Sequence, residues 1–243
     1  RETNAPATSV ALVVKKDDNS RRVVVNFGPL NQQLMSNHFP LPRIDESLDF
    51  LANGAFRSSF DCWLCFHQFG ISEESIPLTA TWFSSSMLMS WLVAPMGIKV
   101  IPAAVQSVMS ADFNDECTIV YIDDILQVMQ TAEEVVSATK HVFEVCRENG
   151  WTLNARKCRV GFRKLAMLGK IVGQGTIEVK PEHLDGIRNY GKPTTIRQLR
   201  QFNGMVTALS KHLPTAATTL RPLYEAARGG AQGAVAWSTE MDE

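Results

Sequence analysis

An α+β body followed by a helical segment is the fold class this sequence predicts, and three observations predict it. Short β-branched runs are interleaved with helical stretches up to about residue 180. Beyond that point the pattern is mostly helical. Two capping boxes, Thr131-Ala-Glu-Glu134 and Thr195-Ile-Arg-Gln198, each open a stretch with apolar residues at helical spacing. No internal repeat and no low-complexity linker interrupts the order.

The elements follow in turn. Val10 to Val14 and Arg22 to Asn26 are β-branched runs separated by the polar, turn-prone Lys15 to Arg21, which predicts a hairpin. Pro40 and Pro42 predict a loop, and Ile44 to Leu51 a helix. Phe56 to Phe60 reads as a strand. Pro102 to Phe113 reads as a helix with proline near its start. Thr118 to Tyr121 and Ile125 to Met129 read as strands around Ile122-Asp-Asp124. The helix behind Thr131 carries Val135, Ala138, Val142 and Val145 on one stripe and stops at Gly150. Leu165 to Val172 and Thr176 to Val179 predict a second hairpin around Gly173 and Gly175. Behind Thr195, the residues Ile196, Leu199, Phe202, Met205 and Leu209 keep helical spacing.

Composition bounds the function. The 243 residues are 45% hydrophobic and 20% charged, which excludes collagen, coiled coil and wholesale disorder. The net charge of −1 excludes a chain-wide polycation that grips nucleic acid by bulk charge. That total hides an asymmetry. Residues 1–139 hold 8 Lys/Arg against 16 Asp/Glu, and residues 140–212 hold 14 against 5. An acidic part therefore precedes a basic one, as solvated faces that neutralise each other or as a carboxylate site beside a phosphate-binding surface. No run reaches the ~18 apolar residues of a membrane span. The nearest, Met87 to Ile98, contains Ser90, Pro95 and Gly97 and is closed by Lys99. Five cysteines read as reduced thiols of an intracellular protein, cytoplasmic or nuclear and not secreted. There is no signal-peptide pattern, and a chain that begins with Arg1 is expected to be an excerpt or a processed piece.

The chemistry concentrates on carboxylates. Asp123 and Asp124 interrupt an otherwise apolar run from Val120 to Leu126. Carboxylates are costly to desolvate, so they are rare in such a run without a partner. By itself the pair reads as a polar turn. A second strand-end carboxylate, Asp61 after Phe60, shifts the balance towards a site. Clustered carboxylates with no nearby histidine suit a hard divalent cation such as Mg²⁺, and hence phosphoryl or nucleotidyl transfer. Cys62-Trp-Leu-Cys65 has metal-ligand spacing but no second cysteine pair, which favours buried thiols over zinc. The histidines are scattered without an arrangement for nucleophilic catalysis.

Several ordered blocks resemble one family. Tyr121-Ile-Asp-Asp124 resembles the Tyr-x-Asp-Asp box of reverse transcriptases. The wider pattern resembles the polymerase of Ty3/gypsy-type long-terminal-repeat retrotransposons. It runs through Val14-Lys-Lys-Asp-Asp-Asn with Arg22 to Phe27, Phe39-Pro-Leu-Pro-Arg-Ile-Asp45, Phe60-Asp61 with Phe66-His-Gln68, and Pro95-Met-Gly97. It continues through Lys157-Cys158, Leu168-Gly169 and Pro193 to Phe202. The likeness covers roughly residues 10 to 238.

The resemblance implies a right-hand polymerase core, with fingers and palm in 1–179 and a helical connection/thumb in 180–243. The palm would be an antiparallel sheet backed by helices. Asp61, Asp123 and Asp124 would be the catalytic set and hold two Mg²⁺ ions, with Mn²⁺ as a substitute. Lys15 and Arg22 would face the triphosphate of a dNTP. Phe66 would lie beneath the sugar, and Met96 would sit in the nucleotide-binding Pro-x-Gly block. Leu168 and Gly169 would form the primer grip, with Lys157 near the primer backbone. Arg197 and Arg200 would meet phosphates from the thumb. The partners implied are an RNA or DNA template, a DNA primer and dNTPs, with no membrane. The sequence departs from the family at Asn26, Gly28, Met96, Lys99-Val-Ile and Ala208 to His212. These changes bear on template gripping and nucleotide positioning but leave the three carboxylates in place. A domesticated or decayed copy, binding nucleic acid or a protein partner without catalysis, is the alternative.

Overall fold

A computed structural model describes residues 9–15, 21–35, 39–209, 215–228, 233–238 and 241. By internal contacts the chain divides into two units, Arg1–Leu168 with Val172–Ile177, and Gly169–Ile171 with Glu178–Glu243.

The first unit holds two four-stranded sheets. One contains β1 (Ser9–Lys15), β2 (Arg21–Val25), β4 (Thr81–Ser84) and β5 (Met87–Met89), in the order β2-β1-β4-β5. The β1–β2 pair is the expected hairpin, in antiparallel register with Val14 opposite Arg22. Strands β4 and β5 are not foreseen from the sequence, where Thr81 to Met89 mixes aromatics with a serine run. Helix α1 (Gly28–Gln33) follows β2. Val25, Phe27 and Ile98 form the small core of this region.

The other sheet, of order β6-β7-β3-β8, is antiparallel throughout. It contains β3 (Phe56–Asp61), β6 (Thr118–Tyr121), β7 (Asp124–Met129) and β8 (Arg159–Phe162). Alternation along β7 decides what each face carries. Ile125 joins Phe60 and Val120 in a core with Val105 and Met109 of α3 (Ile101–Asp112) and Val142, Val145 and Cys146 of α4 (Ala132–Asn149). Leu126 faces the other way, into a core with Leu48, Leu51 and Ala52 of α2 (Ile44–Ala52). Helices thus cover both faces. Helix α4 starts where its capping residue predicts: the Thr131 side chain accepts from the Glu134 N–H at 3.2 Å. It ends at Gly150, whose φ of 79° suits only a residue without a Cβ clash.

The stretch Leu165 to Val172, read as one strand, is two. Strand β9 (Leu165–Met167) turns through Leu168 and Gly169 into β10 (Lys170–Gly173), and β11 (Thr176–Val179) completes a sheet of order β11-β10-β9. The break comes from backbone conformation, which an apolar pattern does not encode.

The second unit is mainly helical, with α5 (Pro181–Arg188), α6 (Ile196–Thr207), α7 (Ala216–Thr219) and α8 (Arg221–Ala226). The capping box of α6 is complete in both directions between Thr195 and Gln198. Leu199, Leu220, Leu223 and Ala227 form its core. Among the described residues no helix is long and apolar enough to cross a membrane.

Candidate active site

The carboxylates are brought together by strand register. In the β3–β7 pairing Asp61 lies directly opposite Asp124. Cross-strand partners in an antiparallel pair share a face, so two like charges stand side by side. Asp123 occupies the connection between β6 and β7, where Tyr121 pairs with Asp124 and leaves a loop of Ile122 and Asp123 only. The Cys62 N–H donates to the Asp123 carbonyl at 3.1 Å, and the Asn154 N–H donates to the Asp61 carbonyl at 2.8 Å. The end of β3, the hairpin tip and the segment after α4 are thereby tied at the backbone.

The electrostatics follow from that crowding. Burial, then the neighbouring Asp123 and Asp61 charges, push the Asp124 carboxyl up to about 6, against a partial offset from Lys157. The Lys157 ammonium donates to Asp61 Oδ1 at 2.8 Å. That hydrogen bond raises its own ionisation, with Asp123 and Asp124 adding to the effect. A cation belonging to the chain is thus bonded to one carboxylate and feels the charge of the other two. Among the described residues no three His, Cys, Asp or Glu side chains converge as a ready metal cage. The donor set still fits a hard divalent ion: carboxylate oxygens only, with more negative charge than one ammonium balances.

Backbone strain falls at three turns, one of which carries Asp123. Three described residues other than glycine have positive φ: Leu64, Ile122 and Leu168. Leu64 precedes the 3₁₀ turn Cys65–Gln68, which holds Phe66. Ile122 is half of the loop carrying Asp123. Leu168, with Gly169 at φ 78°, makes the two-residue connection between β9 and β10. Positive φ at both central residues is the signature of a type I′ turn.

The other expected residues fall as follows. The backbones of Lys15 and Arg22 lie in the β1–β2 hairpin, but their side chains lie outside the described residues, as do the residues from 16 to 20 and from 210 to 214. Phe66 packs, partly buried, against the core formed with α3 and α4. Met96 is exposed in the loop before α3. Arg197 and Arg200 are exposed on α6, and Arg200 Nε donates to the Ala227 carbonyl at 3.0 Å. Cys62 and Cys65 are buried free thiols. Their mutual hydrogen bond, reinforced by burial, pushes Cys62 far above the ordinary thiol range. Sequence reasoning misses the direct pairing of Lys157 with Asp61, 96 residues apart in the chain. It also misses Asn154 and Gln106, which no motif marks.

An antiparallel sheet with helices on both faces, and carboxylates at the adjoining ends of its two central strands, is the palm of a right-hand polymerase fold. The comparisons agree. Residues 14–172, more than half of the chain, match the family described as "Reverse transcriptase (RNA-dependent DNA polymerase)". The chain belongs to the reverse transcriptase family. It is 30% identical over 224 residues to the enzymatic polyprotein of cauliflower mosaic virus (strain Strasbourg), covering 90% of this chain and 32% of that one. It is 30% identical over 232 residues to the Pol polyprotein from transposon 297 of Drosophila melanogaster, covering 92% and 22%. The chain thus spans about a third or less of these curated relatives. A foamy viral protease-reverse transcriptase solved with double-stranded DNA superposes with a TM-score of 0.90 at 21% identity, over 100% of this chain and 43% of the other. Another, solved with an RNA/DNA hybrid, gives 0.85 at 21% identity, over 100% and 33%.

Proposed function

We propose that this chain is the fingers, palm and connection/thumb of an RNA-directed DNA polymerase that extends a DNA primer on an RNA or DNA template. The observation that supports the reading is the cross-strand pairing of Asp61 with Asp124 at the ends of the central strands, with Asp123 in the adjoining two-residue loop and the Lys157 ammonium bonded to Asp61. Asp61 and Asp123 would be the firmer ligands of two Mg²⁺ ions, with Asp124 less direct. Bound there, the metals supply charge neutralisation for the 3′-oxygen nucleophile and for the departing pyrophosphate.

The chain's own groups would do the rest. Lys15 and Arg22, on the β1–β2 hairpin, would meet the triphosphate oxygens, the guanidinium by a two-pronged bond. Phe66 would underlie the sugar, and Met96 would stand beside the nucleotide. The Leu168–Gly169 turn would hold the primer end, with Lys157 close to its backbone. Arg197 and Arg200 would contact phosphates, which accounts for a basic segment following an acidic one. The order of blocks from Val14 to Phe202 supports an origin in a Ty3/gypsy-type element, with 1–179 as fingers and palm and 180–243 as connection/thumb.

Primer extension with Mg²⁺ or Mn²⁺ on primed RNA and DNA templates tests the reading. Extension by the wild type, lost by at least ~10³-fold in Asp123→Asn, is expected, because a ligand to the reacting charge is removed. A purified, folded protein that binds duplex but extends nothing, with Asp123→Asn leaving that binding unchanged, overturns it. That outcome would favour the second reading, a copy that binds without catalysis. The occupation of Asp61 by Lys157 and the departures at Gly28 and Met96 are the observations on its side.

A further inference from the structure

The loop that carries Asp123 is built on an unfavourable residue. Ile122 has φ 56° and is the first of two central residues, the second having no positive φ, which is the signature of a type II′ turn. Glycine is the ordinary occupant of that position, and a β-branched side chain is among the least suited to it. The conformation persists only if its surroundings impose it.

Gln106, on α3, is fully buried against this loop. Its Oε1 accepts from the Ile122 N–H at 2.7 Å. Its Nε2 donates to the Val120 carbonyl at 2.8 Å and to Ser110 Oγ at 2.8 Å. Tyr121 pairs with Asp124 on β7, so the main-chain groups of residues 120 and 122 point to the other side. Strand β6 is the edge of its sheet, and among the described residues no further strand lies there. The carboxamide presents an acceptor and a donor side by side, as the peptide group of another strand would. Glutamate lacks the donor, lysine the acceptor and leucine both. The Ile122 N–H, which can only donate, and the Val120 carbonyl, which can only accept, fix which way round the amide sits, and Ser110 Oγ, one helical turn along α3, accepts from the same Nε2.

We propose that Gln106 is a positioning residue for the catalytic carboxylates: its amide completes the edge of β6, holds Ile122 left-handed and so fixes Asp123 and Asp124 beside Asp61. The inference rests on the polymerase reading above, since it assigns a role within that site. Because the amide acts only through the turn, relieving the turn's strain should replace it.

The test compares Gln106→Leu with the double variant Gln106→Leu/Ile122→Gly in primer extension, in Mn²⁺ binding by electron paramagnetic resonance, and in hydrogen exchange of the residue 122 amide. Gln106→Leu should lower kcat ~10–100-fold with the KM for primer–template unchanged, and weaken Mn²⁺ binding ~10-fold, as expected for a strained loop released from its geometry. Exchange at residue 122 should accelerate. Adding Ile122→Gly should recover at least ~5-fold of kcat and of Mn²⁺ affinity, because glycine adopts positive φ without penalty. If Gln106→Leu does not fold, Gln106→Glu keeps the size, loses only the donor, and should show the same ordering. Undiminished kcat in Gln106→Leu overturns the proposal. So does a loss that Ile122→Gly leaves unrepaired in variants with wild-type melting temperatures, since a merely structural role behaves that way. A wild type that neither extends primers nor binds Mn²⁺ sinks the polymerase reading and the positioning role with it. Faster exchange at residue 122 in Gln106→Leu would show in that case that the clamp itself exists.

Discussion

The two four-stranded sheets of the first unit are written in much the same letters and are treated differently by the fold. In the β2-β1-β4-β5 sheet, Val10 and Leu12 alternate along β1 and are 55% and 57% exposed. In the β6-β7-β3-β8 sheet, Ile125 and Leu126 are adjacent on β7 and are 0% and 1% exposed. The difference lies in what covers each face. Helices α3 and α4 lie on one side of β7 and α2 on the other, so successive residues are both buried. A β-branched run therefore reports a strand but not its burial; burial is a property of the partners. The carboxylates sit on the better-supported sheet, as a site that depends on fixed geometry requires.

The support of that sheet has an anchor whose removal should have the largest effect. Arg57 of β3 is fully buried, and among the described residues no carboxylate pairs with it. Its guanidinium donates instead to the carbonyls of Leu51, Ala52, Gly54 and Arg163, at 2.8, 3.2, 2.6 and 2.8 Å. Leu51 and Ala52 end α2, where carbonyls lack helical partners and carry partial negative charge. Arg57→Met would take this donor from the Leu51, Gly54 and Arg163 carbonyls, whereas Ala52 keeps the Gly175 N–H at 2.9 Å, at a cost of ~3–5 kcal/mol. Denaturant unfolding measures it. A loss below ~1 kcal/mol would mean that water replaces the guanidinium and that the anchor is dispensable.

Next in size is Leu126→Ala, which removes a fully buried side chain from the core shared with Leu48 and Leu51. A cost of ~2–5 kcal/mol is expected from lost burial and the cavity left behind.

How much of this is legible beforehand depends on the kind of signal. The hairpin β1–β2, the Thr195 capping box, the Thr131 cap (whose Glu134 side chain bonds the Gln130 N–H instead of closing a box), the strands around Asp123 and the stop at Gly150 are local, and the chain states them. So is the alternation that points Asp61 and Asp124 to the same face once β3 and β7 pair. Strands β4, β5 and β8 are short and lack a clear period, and they are stabilised by neighbours remote in sequence. The break at Leu168 and the left-handed Ile122 are conformations that the residue types argue against. Lys157 and Gln106 act through pairings across 96 and 16 positions that no motif records. What sequence pattern misses is therefore tertiary, and it includes the groups that shape the site.

A gain in stability, smaller than these losses, is expected where the carboxylates crowd. The Asp124 carboxyl ionises near 6 in the folded chain, above its ordinary value of 3.8. A raised carboxyl favours the unfolded state wherever it is charged in both. The penalty is therefore complete above about pH 6, shrinks as pH falls towards 4, and is absent below that. Asp124→Asn in metal-free buffer should then raise stability at pH 8 by ~1–2 kcal/mol, the figure being discounted for partial exposure. The gain should fade between pH 6 and pH 4, which thermal unfolding at stepped pH would follow. A gain that persists at pH 3.5 would assign the effect to packing instead of charge.

The smallest effect belongs to the other sheet and closes the comparison. Leu12 faces Val24 across the β1–β2 pair and is more than half exposed. Leu12→Thr keeps a strand-forming residue and loses little buried area, so stability should change by no more than ~0.5 kcal/mol. Leu126→Thr, the same substitution in the helix-covered sheet, buries an added hydroxyl and should cost several times as much. Denaturant midpoints of the two variants decide between burial and strand propensity as the origin of stability. If Leu12→Thr costs as much as Leu126→Thr, the exposed face of β1 is covered in solution. A sedimentation coefficient that falls in Leu12→Thr would then identify a second copy of the chain as the cover, and the contrast between the sheets would become one between an internal and an intermolecular support.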